Sequence, residues 1–221
     1  MDLLLIIIIV LPLVANLYIK SAYNKYRKIS NLKEMTGFDV ARRILDSNGL
    51  NEVLILETNG ELSDHYNPRR KVVKLSRDIY HGETIAAMSV AAHECGHAIQ
   101  DKEGYSWMKI RSAMCPVVNF ITYSAYILIV ISCLLQAFDM ILLAFVMYFA
   151  GLLFQLVTLP VEFNASERAM KHLDDLGLAT SDSRDSIKKV LTAAAYTYVA
   201  AVISSLLEIL RILIALNDRR D

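Results

Sequence analysis

The sequence lacks an excess of charge of either sign. It has 23 lysine and arginine residues against 23 aspartate and glutamate residues, a formal net charge of +0 at pH 7. Proteins that bind nucleic acid through their overall field carry a basic excess, so the composition predicts no nucleic-acid partner. Cysteine is also scarce, and the three cysteines have no disulfide-framework spacing. We therefore expect Cys95, Cys115 and Cys133 to behave as small apolar side chains, with no indication of an oxidising compartment.

Charge is absent from four long stretches of the chain, at residues 3–19, 112–138, 140–161 and 190–207. A helix that crosses a bilayer requires about 20 apolar residues. We therefore predict a transmembrane anchor at 1–19 and a transmembrane helix hairpin at 112–161. No basic residue precedes the first stretch and no small-residue cleavage site follows it, which favours a retained anchor over a signal peptide. The apolar helix at 190–221 contains Glu208 and Arg211, so it either spans the membrane or packs in a protein core.

Basic residues near the ends of these stretches predict the orientation of the chain. Clusters of lysine and arginine occur at residues 20–28, 109–111 and 168–171. Loops rich in these residues stay on the cytoplasmic side of a membrane. We therefore expect an integral protein of the cell membrane, with the bilayer as a partner and with residues 20–111 and 162–189 in the cytoplasm.

The segment 20–111 contains short elements that read as a small α+β part. "FDVARRILDSNGL" has the periodicity of a helix that stops at Asn48-Gly49. "EVLILET" and "KVVKLS" predict two short strands around a turn-rich loop. "GETIAAMSVAAHECGHAIQDKEG" predicts one long helix that ends near Gly104.

That long helix carries "VAAHECGHAIQ", residues 90–100, in which His93 and His97 stand four residues apart. Residues at this spacing share one face of a helix, so both imidazoles can bind one metal ion. Zinc accepts neutral imidazole, and a carboxylate at Glu94 can take a proton from water and pass it to a leaving amine. The alternative is a buried helix whose histidines bond to neighbouring side chains. The His-Glu-x-x-His pattern favours a site for one Zn²⁺ per chain, with Glu94 as the catalytic base.

A catalytic zinc needs a third protein ligand and an open fourth position. No third histidine follows at the short spacing seen in some zinc peptidases, so we expect the ligand to come from a second helix. The segment "LPVEFNASERAMKHLDDLG" offers five candidates, Glu162, Glu167, His172, Asp174 and Asp175. Glu162 is favoured because it is the first charged residue after the apolar stretch 140–161, where it would emerge at the membrane face beside the motif helix.

The stretches "DHYNPRRKVVKLSRDIYHGETIAAMSVAAHECGHAIQ" and "LPVEFNASERAMKHL" resemble the YugP-like family of neutral zinc metallopeptidases, and the resemblance covers nearly the whole chain. It implies a membrane zinc peptidase of the gluzincin type, in which His93, His97 and Glu162 bind the metal. Related membrane peptidases have an aspartate where this chain has Ser166. Because this chain departs from that pattern, we expect the supporting contact to the metal ligands to be weaker at Ser166 or to be made by another group, such as Asn164.

Three further side chains and one strand are candidates for handling substrate. His172, Tyr196 and Tyr198 can donate a hydrogen bond to an oxyanion. "KVVKLS" is either an ordinary sheet strand or the strand that pairs with the substrate backbone, as happens in zincins.

Together these features predict a mainly α membrane protein. We expect a helical bundle of three or four transmembrane helices and a small α+β, zincin-like cytoplasmic part with a short β-sheet. Residues 20–111 would contain the motif helix, and a cytoplasmic helix at 162–189 would contain the third ligand.

The function that this organisation predicts is that of a membrane-bound zinc metalloendopeptidase. It would hydrolyse peptide or protein substrates with zinc-activated water on the cytoplasmic side. The alternative is a zinc-binding membrane scaffold or chaperone-like protein without turnover, which would not need Glu94. A site inside the lipid core is disfavoured because "RDIYHGE" precedes the motif helix and Asp101, Lys102 and Glu103 follow the motif closely. The sequence does not specify an oligomeric state.

Overall fold

The computed structural model describes residues 3–135 and 141–217, most of which are helical. The helices of these residues are α1 (Leu3–Tyr26), α2 (Gly37–Ser47), α3 (Arg77–Tyr80), α4 (Ile85–Lys102), α5 (Ser106–Leu135), α6 (Ile141–Asp175) and α7 (Ser181–Asn217). The strands are β1 (Leu54–Thr58), β2 (His65–Asn67) and β3 (Val72–Ser76).

The chain divides into two compact units. One unit comprises Asn16–Tyr105 and Val161–Tyr196, and it contains the sheet, α2, α3 and α4. The other comprises the described parts of Met1–Ala15, Ser106–Pro160 and Thr197–Asp221, and it contains α5.

Helices α2 and α4 begin at side chains that cap their first turns. Thr36 accepts a hydrogen bond from the Asp39 backbone N–H, and the Asp39 carboxylate accepts one from the Thr36 backbone N–H. Thr84 accepts a hydrogen bond from the Ala87 backbone N–H at the start of α4. Such caps satisfy backbone donors that have no partner within the helix. Both helices were expected from the sequence, and their presence is confirmed.

The sheet has the order β1-β3-β2, with β1 parallel and β2 antiparallel to β3. The sequence predicted two strands here, and that number is wrong. The additional strand, β2, is three residues long and lies inside a segment rich in turn residues, so it shows no alternating pattern. "KVVKLS" forms the central strand β3, which is hydrogen-bonded on both edges. Its position between β1, which pairs along Val72–Ser76, and β2, which pairs with Val72–Lys74, favours the ordinary sheet strand of the two alternatives.

Three of the helices in the described residues are long and apolar enough to cross a membrane. They are Leu3–Tyr26, Val146–Asp175 and Ser181–Ile214. Long apolar helices thus occur at the amino terminus, in the second half of the predicted hairpin and in the last described part of the chain, while their crossing of a bilayer stays a prediction. The first half of the hairpin is helical as far as Leu135, and its turn at 136–139 lies outside the described residues.

The segment 162–189 differs from its expected form as one helix. Helix α6 runs from Ile141 to Asp175 without a break, so Glu162 lies on a helix that begins in the apolar stretch. The remaining residues form a turn around Gly177, whose φ is 62°, and the start of α7. Glu162, the predicted third ligand, therefore lies in the interior of a long helix, and the helix geometry determines the direction of its side chain.

Candidate metal centre

Helices α4 and α6 bring His93, His97 and Glu162 together. One ligand atom from each of the three side chains lies within 4.8 Å of the others. Glu162 Oε2 lies 3.2 Å from His93 Nε2 and 3.5 Å from His97 Nε2. Glu162 and His97 are buried and His93 is nearly so. The structure thus groups the two motif histidines with the acid that the sequence favoured as third ligand.

The two helices approach closely at Gly96. A methyl group added to Gly96 would lie 2.5 Å from the backbone oxygen of Ala165 on α6. Real side chains do not approach a backbone atom so closely, so only glycine fits between His93 and His97 on this face. The absence of a side chain at Gly96 therefore allows α4 to approach the part of α6 that carries Glu162.

Replacing Gly96 by alanine is expected to lower both the stability of the protein and its affinity for zinc. The neighbouring atoms at Ala165 are backbone atoms that cannot move aside cheaply, and overpacking typically costs about 1–3 kcal/mol. Thermal unfolding in detergent and zinc titration measure the two effects. Gly151→Ala on α6 is the matched control, since nothing lies within 4 Å of its added methyl group. Equal behaviour of the two variants would contradict the close helix contact.

The ring nitrogens that face away from the cluster have partners of their own. His93 Nδ1 lies 3.2 Å from Ser166 Oγ, and His97 Nδ1 lies 3.0 Å from Gln100 Oε1. The Nε2 atoms of both rings are thereby left facing Glu162 Oε2. Two imidazole nitrogens and a carboxylate oxygen form a donor set that suits zinc, which is commonly bound by two histidines and a glutamate in catalytic sites. The residues present therefore fit a zinc ion.

Glu94 lies beside this group without being part of it. Its side chain is buried, and burial raises the pKa of its carboxyl to about 7. The neighbouring His93 and a hydrogen bond from the Tyr66 backbone N–H act in the opposite direction, while Glu162 and Asp64 raise the pKa further. A carboxylate that exchanges a proton near neutral pH can act as a general base and then as a general acid.

The other candidates for third ligand are not members of the clustered group in the described residues. Glu167, Asp174 and Asp175 line a groove of about 840 Å³ between α6 and α7, together with Lys171, Arg184 and Lys188. Asp174 pairs with Arg184 at 2.8 Å. His172 is not in the metal-binding group found among the described residues either. Glu162 is thus the candidate that the geometry supports.

The two candidates for a supporting contact to the metal ligands, Ser166 and Asn164, have different partners in the structure. Ser166 contacts His93, whereas Asn164 contacts Gln100 and Arg168 instead. The oxyanion roles of His172, Tyr196 and Tyr198 stay predictions. Tyr196 lies against Tyr18, with ring centroids 5.8 Å apart.

Sequence reasoning missed Gln100 and Tyr66. Gln100 stands three residues after His97, a spacing that places both on one helix face, and this was the available signal. Tyr66 lies on the unexpected strand β2, where its hydroxyl donates to Asp101 at 2.7 Å.

Comparison with known proteins agrees with this site. Residues 1–217 match the profile of the family described as "Putative neutral zinc metallopeptidase". The chain is 44% identical over 208 residues to "Putative membrane protease YugP" of Bacillus subtilis (strain 168), covering 94% of this chain and 92% of that protein. No solved structure matches significantly. These matches show that the chain belongs to the family described as "Putative neutral zinc metallopeptidase".

Proposed function

We propose that this protein is a membrane-bound, zinc-dependent endopeptidase in which His93, His97 and Glu162 hold the metal and Glu94 is the general base. The observation that carries the proposal is the convergence of three ligand atoms within 4.8 Å beside a buried carboxylate that is not one of them. The substrates would be peptides or proteins, as the family description and the name of the similar protease suggest.

The side chains of the proposed site have different roles in the reaction. The chemistry that zinc supplies when bound is acidification of a water molecule and polarisation of a carbonyl group. Glu94 accepts the proton of the attacking water on its carboxylate and delivers it to the nitrogen of the departing amine. The backbone N–H of Tyr66 on β2 favours the charged form of the Glu94 carboxyl and so lowers its pKa. Ser166 and Gln100 support the two histidine rings.

Turnover is favoured over a scaffold without catalysis by two features. Structural zinc sites are closed by four protein ligands, whereas the described residues group only three. A scaffold also gains nothing from a buried Glu94, because burying a carboxylate costs free energy and a scaffold has no proton to transfer.

The decisive test of the activity is cleavage of an unstructured protein, such as casein, by the detergent-purified chain. We expect fragments to appear, cleavage to stop when a chelator removes the metal, and added zinc to restore it. Cleavage that continues at the full rate in metal-free protein would contradict a zinc-dependent reaction. Binding of casein without fragments in the zinc-loaded protein would favour the scaffold.

The orientation of the site in the membrane is also a proposal. The basic clusters at 20–28, 109–111 and 168–171 favour a cytoplasmic site. Helix α4 is not among the candidate spans, and Lys102 and Glu103 at its end are exposed. These features favour a motif helix outside the lipid core.

A cysteine introduced at Lys102 is expected to resist an impermeant thiol reagent added to intact cells and to react after the cells are opened. The background would carry serine at Cys115 and Cys133, since Cys95 is buried. The link "QAFD" at 136–139 between the two predicted hairpin helices has no basic residue, so the same rule predicts it on the outer side. Ala137→Cys in this link is the matched position that should react in intact cells. Labelling of the Lys102 position from outside would overturn the cytoplasmic site.

A further inference from the structure

Gln100 is a fully buried amide that touches one metal-ligand candidate and the helix of another. Its exposed fraction is 0%. Its Oε1 lies 3.0 Å from His97 Nδ1 on the same helix. Its Nε2 lies 2.8 Å from the Val161 backbone oxygen and 3.0 Å from Asn164 Oδ1, both on α6. Both amide protons and the amide oxygen therefore have partners.

The direction of each of these hydrogen bonds is determined by groups that can act in one way only. The Val161 carbonyl can only accept, so the amide nitrogen of Gln100 must face it. Arg168 can only donate, and its Nε lies 2.7 Å from Asn164 Oδ1, so Asn164 also presents an oxygen. With its nitrogen directed at α6, Gln100 must present its oxygen to His97. A carbonyl oxygen accepts, so His97 Nδ1 must carry the proton.

We propose that Gln100 is a positioning residue that locks His97 in the tautomer with its proton on Nδ1, which leaves the Nε2 lone pair free for the metal. The inference rests on the proposed role of His97 as a ligand, because a locked lone pair serves no purpose otherwise. Groups that fix the tautomer of a metal-bound histidine typically change metal affinity by about 10–100-fold when they are removed.

The other histidine lacks an equivalent constraint. His93 Nδ1 lies 3.2 Å from the hydroxyl of Ser166, which can donate or accept. Ser166 therefore supports the ring of His93 without dictating its tautomer. The lock acts on His97 alone, and it ties α4 to the turn of α6 that carries Glu162.

The network extends outward from Gln100 to the end of α4. Arg168 pairs with Glu103 at 2.7 Å, and its guanidinium lies 6.0 Å from the ring centroid of Tyr105. These contacts hold Arg168 so that its Nε points at Asn164. Arg168 is always protonated and can only donate. It therefore determines which atoms donate and which accept in the hydrogen bonds that connect Asn164, Gln100 and His97.

The proposal is tested by locating the His97 ring proton in metal-free, ¹⁵N-histidine-labelled protein at mildly alkaline pH. The His97 signals are assigned by their loss in His97→Ala. Nδ1 should carry a proton in the parent. In Gln100→Met, which is similar in size but cannot accept, the proton should move to Nε2, where Glu162 Oε2 lies 3.5 Å away. Gln100→Glu, in its protonated form, keeps an oxygen acceptor toward His97 and an O–H donor toward the Val161 carbonyl, so it should keep the proton on Nδ1.

Zinc affinity, measured by competition with a chromophoric chelator, supplies the second result. Gln100→Met should bind zinc about 10–100-fold more weakly, while Gln100→Glu should retain more affinity than Gln100→Met. Ser89→Ala removes another buried hydrogen bond from α4, that of Ser89 Oγ to the Ile85 oxygen at 2.7 Å, and should change neither result. A proton that stays on Nδ1 in Gln100→Met would overturn the lock. Because neither measurement uses cleavage, failure of the lock and failure of the proposed activity are distinguishable.

Discussion

Replacing Glu94 by glutamine is expected to reduce casein cleavage by a factor of about 10²–10⁴ or more while zinc stays bound. Glutamine keeps the size of the side chain but cannot accept a proton from water. Glu94 is not one of the three clustered ligand candidates, so its loss leaves their donor atoms in place. Initial cleavage rates and zinc content of the same preparation measure the two quantities.

A matched control for this variant is Glu83→Gln, which makes the same change at an exposed position just before α4. It should retain the parent's cleavage rate and zinc content. Full cleavage by Glu94→Gln would contradict the general-base mechanism. Loss of zinc from Glu94→Gln would instead make Glu94 a ligand.

Replacing Glu162 by glutamine is expected to weaken zinc binding and abolish most cleavage together. The change replaces an anionic ligand by a neutral amide, at a carboxylate that lies 3.2 Å and 3.5 Å from the two Nε2 atoms. His97→Ala removes a second ligand and should lose the metal as well. Excess zinc should restore part of the cleavage in Glu162→Gln, which would separate this variant from Glu94→Gln.

Glu167→Gln is the matched control for the ligand, because it makes the same change one and a half turns further along α6. Glu167 lines the groove between α6 and α7 and is absent from the clustered ligand set. Zinc affinity should therefore be unchanged. Release of zinc by Glu167→Gln, together with its retention by Glu162→Gln, would move the ligand assignment to Glu167.

The centre of the site was predictable from the sequence because its information is local. The spacing of His93 and His97 places them on one helix face whatever surrounds that helix. Glu162 was identifiable because it is the first charged residue after the apolar stretch 140–161, where it would emerge at the membrane face beside the motif helix. The presence of α2 and α4 also followed from local patterns, in "FDVARRILDSNGL" and "GETIAAMSVAAHECGHAIQDKEG".

Gln100 and Tyr66, two residues around the ligand candidates, were not predictable. Their contacts depend on how segments that are distant in the sequence pack together. Gln100 has its role only because α6 presents the Val161 carbonyl and Asn164 to it. Tyr66, whose hydroxyl donates to Asp101 on α4, lies on a strand of three residues, too short to show a period in the sequence. "KVVKLS" could not be assigned to the centre or the edge of the sheet until its second neighbour was known. Contacts between segments that are distant in the sequence produce no characteristic residue spacing from which they could be predicted.

The continuity of α6 is a second point that sequence patterns leave open. Pro160 stands just before Glu162, and a proline often ends or kinks a helix. The structure instead carries α6 through this residue to Asp175. The change from apolar to charged residues near Glu162 therefore does not mark the end of an element.

X-ray absorption at the zinc edge of the purified protein tests the central claim most directly. The account predicts a spectrum with the scattering of two imidazole rings, an oxygen contribution and ligand distances of about 2.0–2.1 Å. In His97→Ala the contribution of one imidazole should be lost along with most of the zinc. A sulfur shell at about 2.3 Å, or zinc without imidazole scattering, would contradict the site formed by His93, His97 and Glu162.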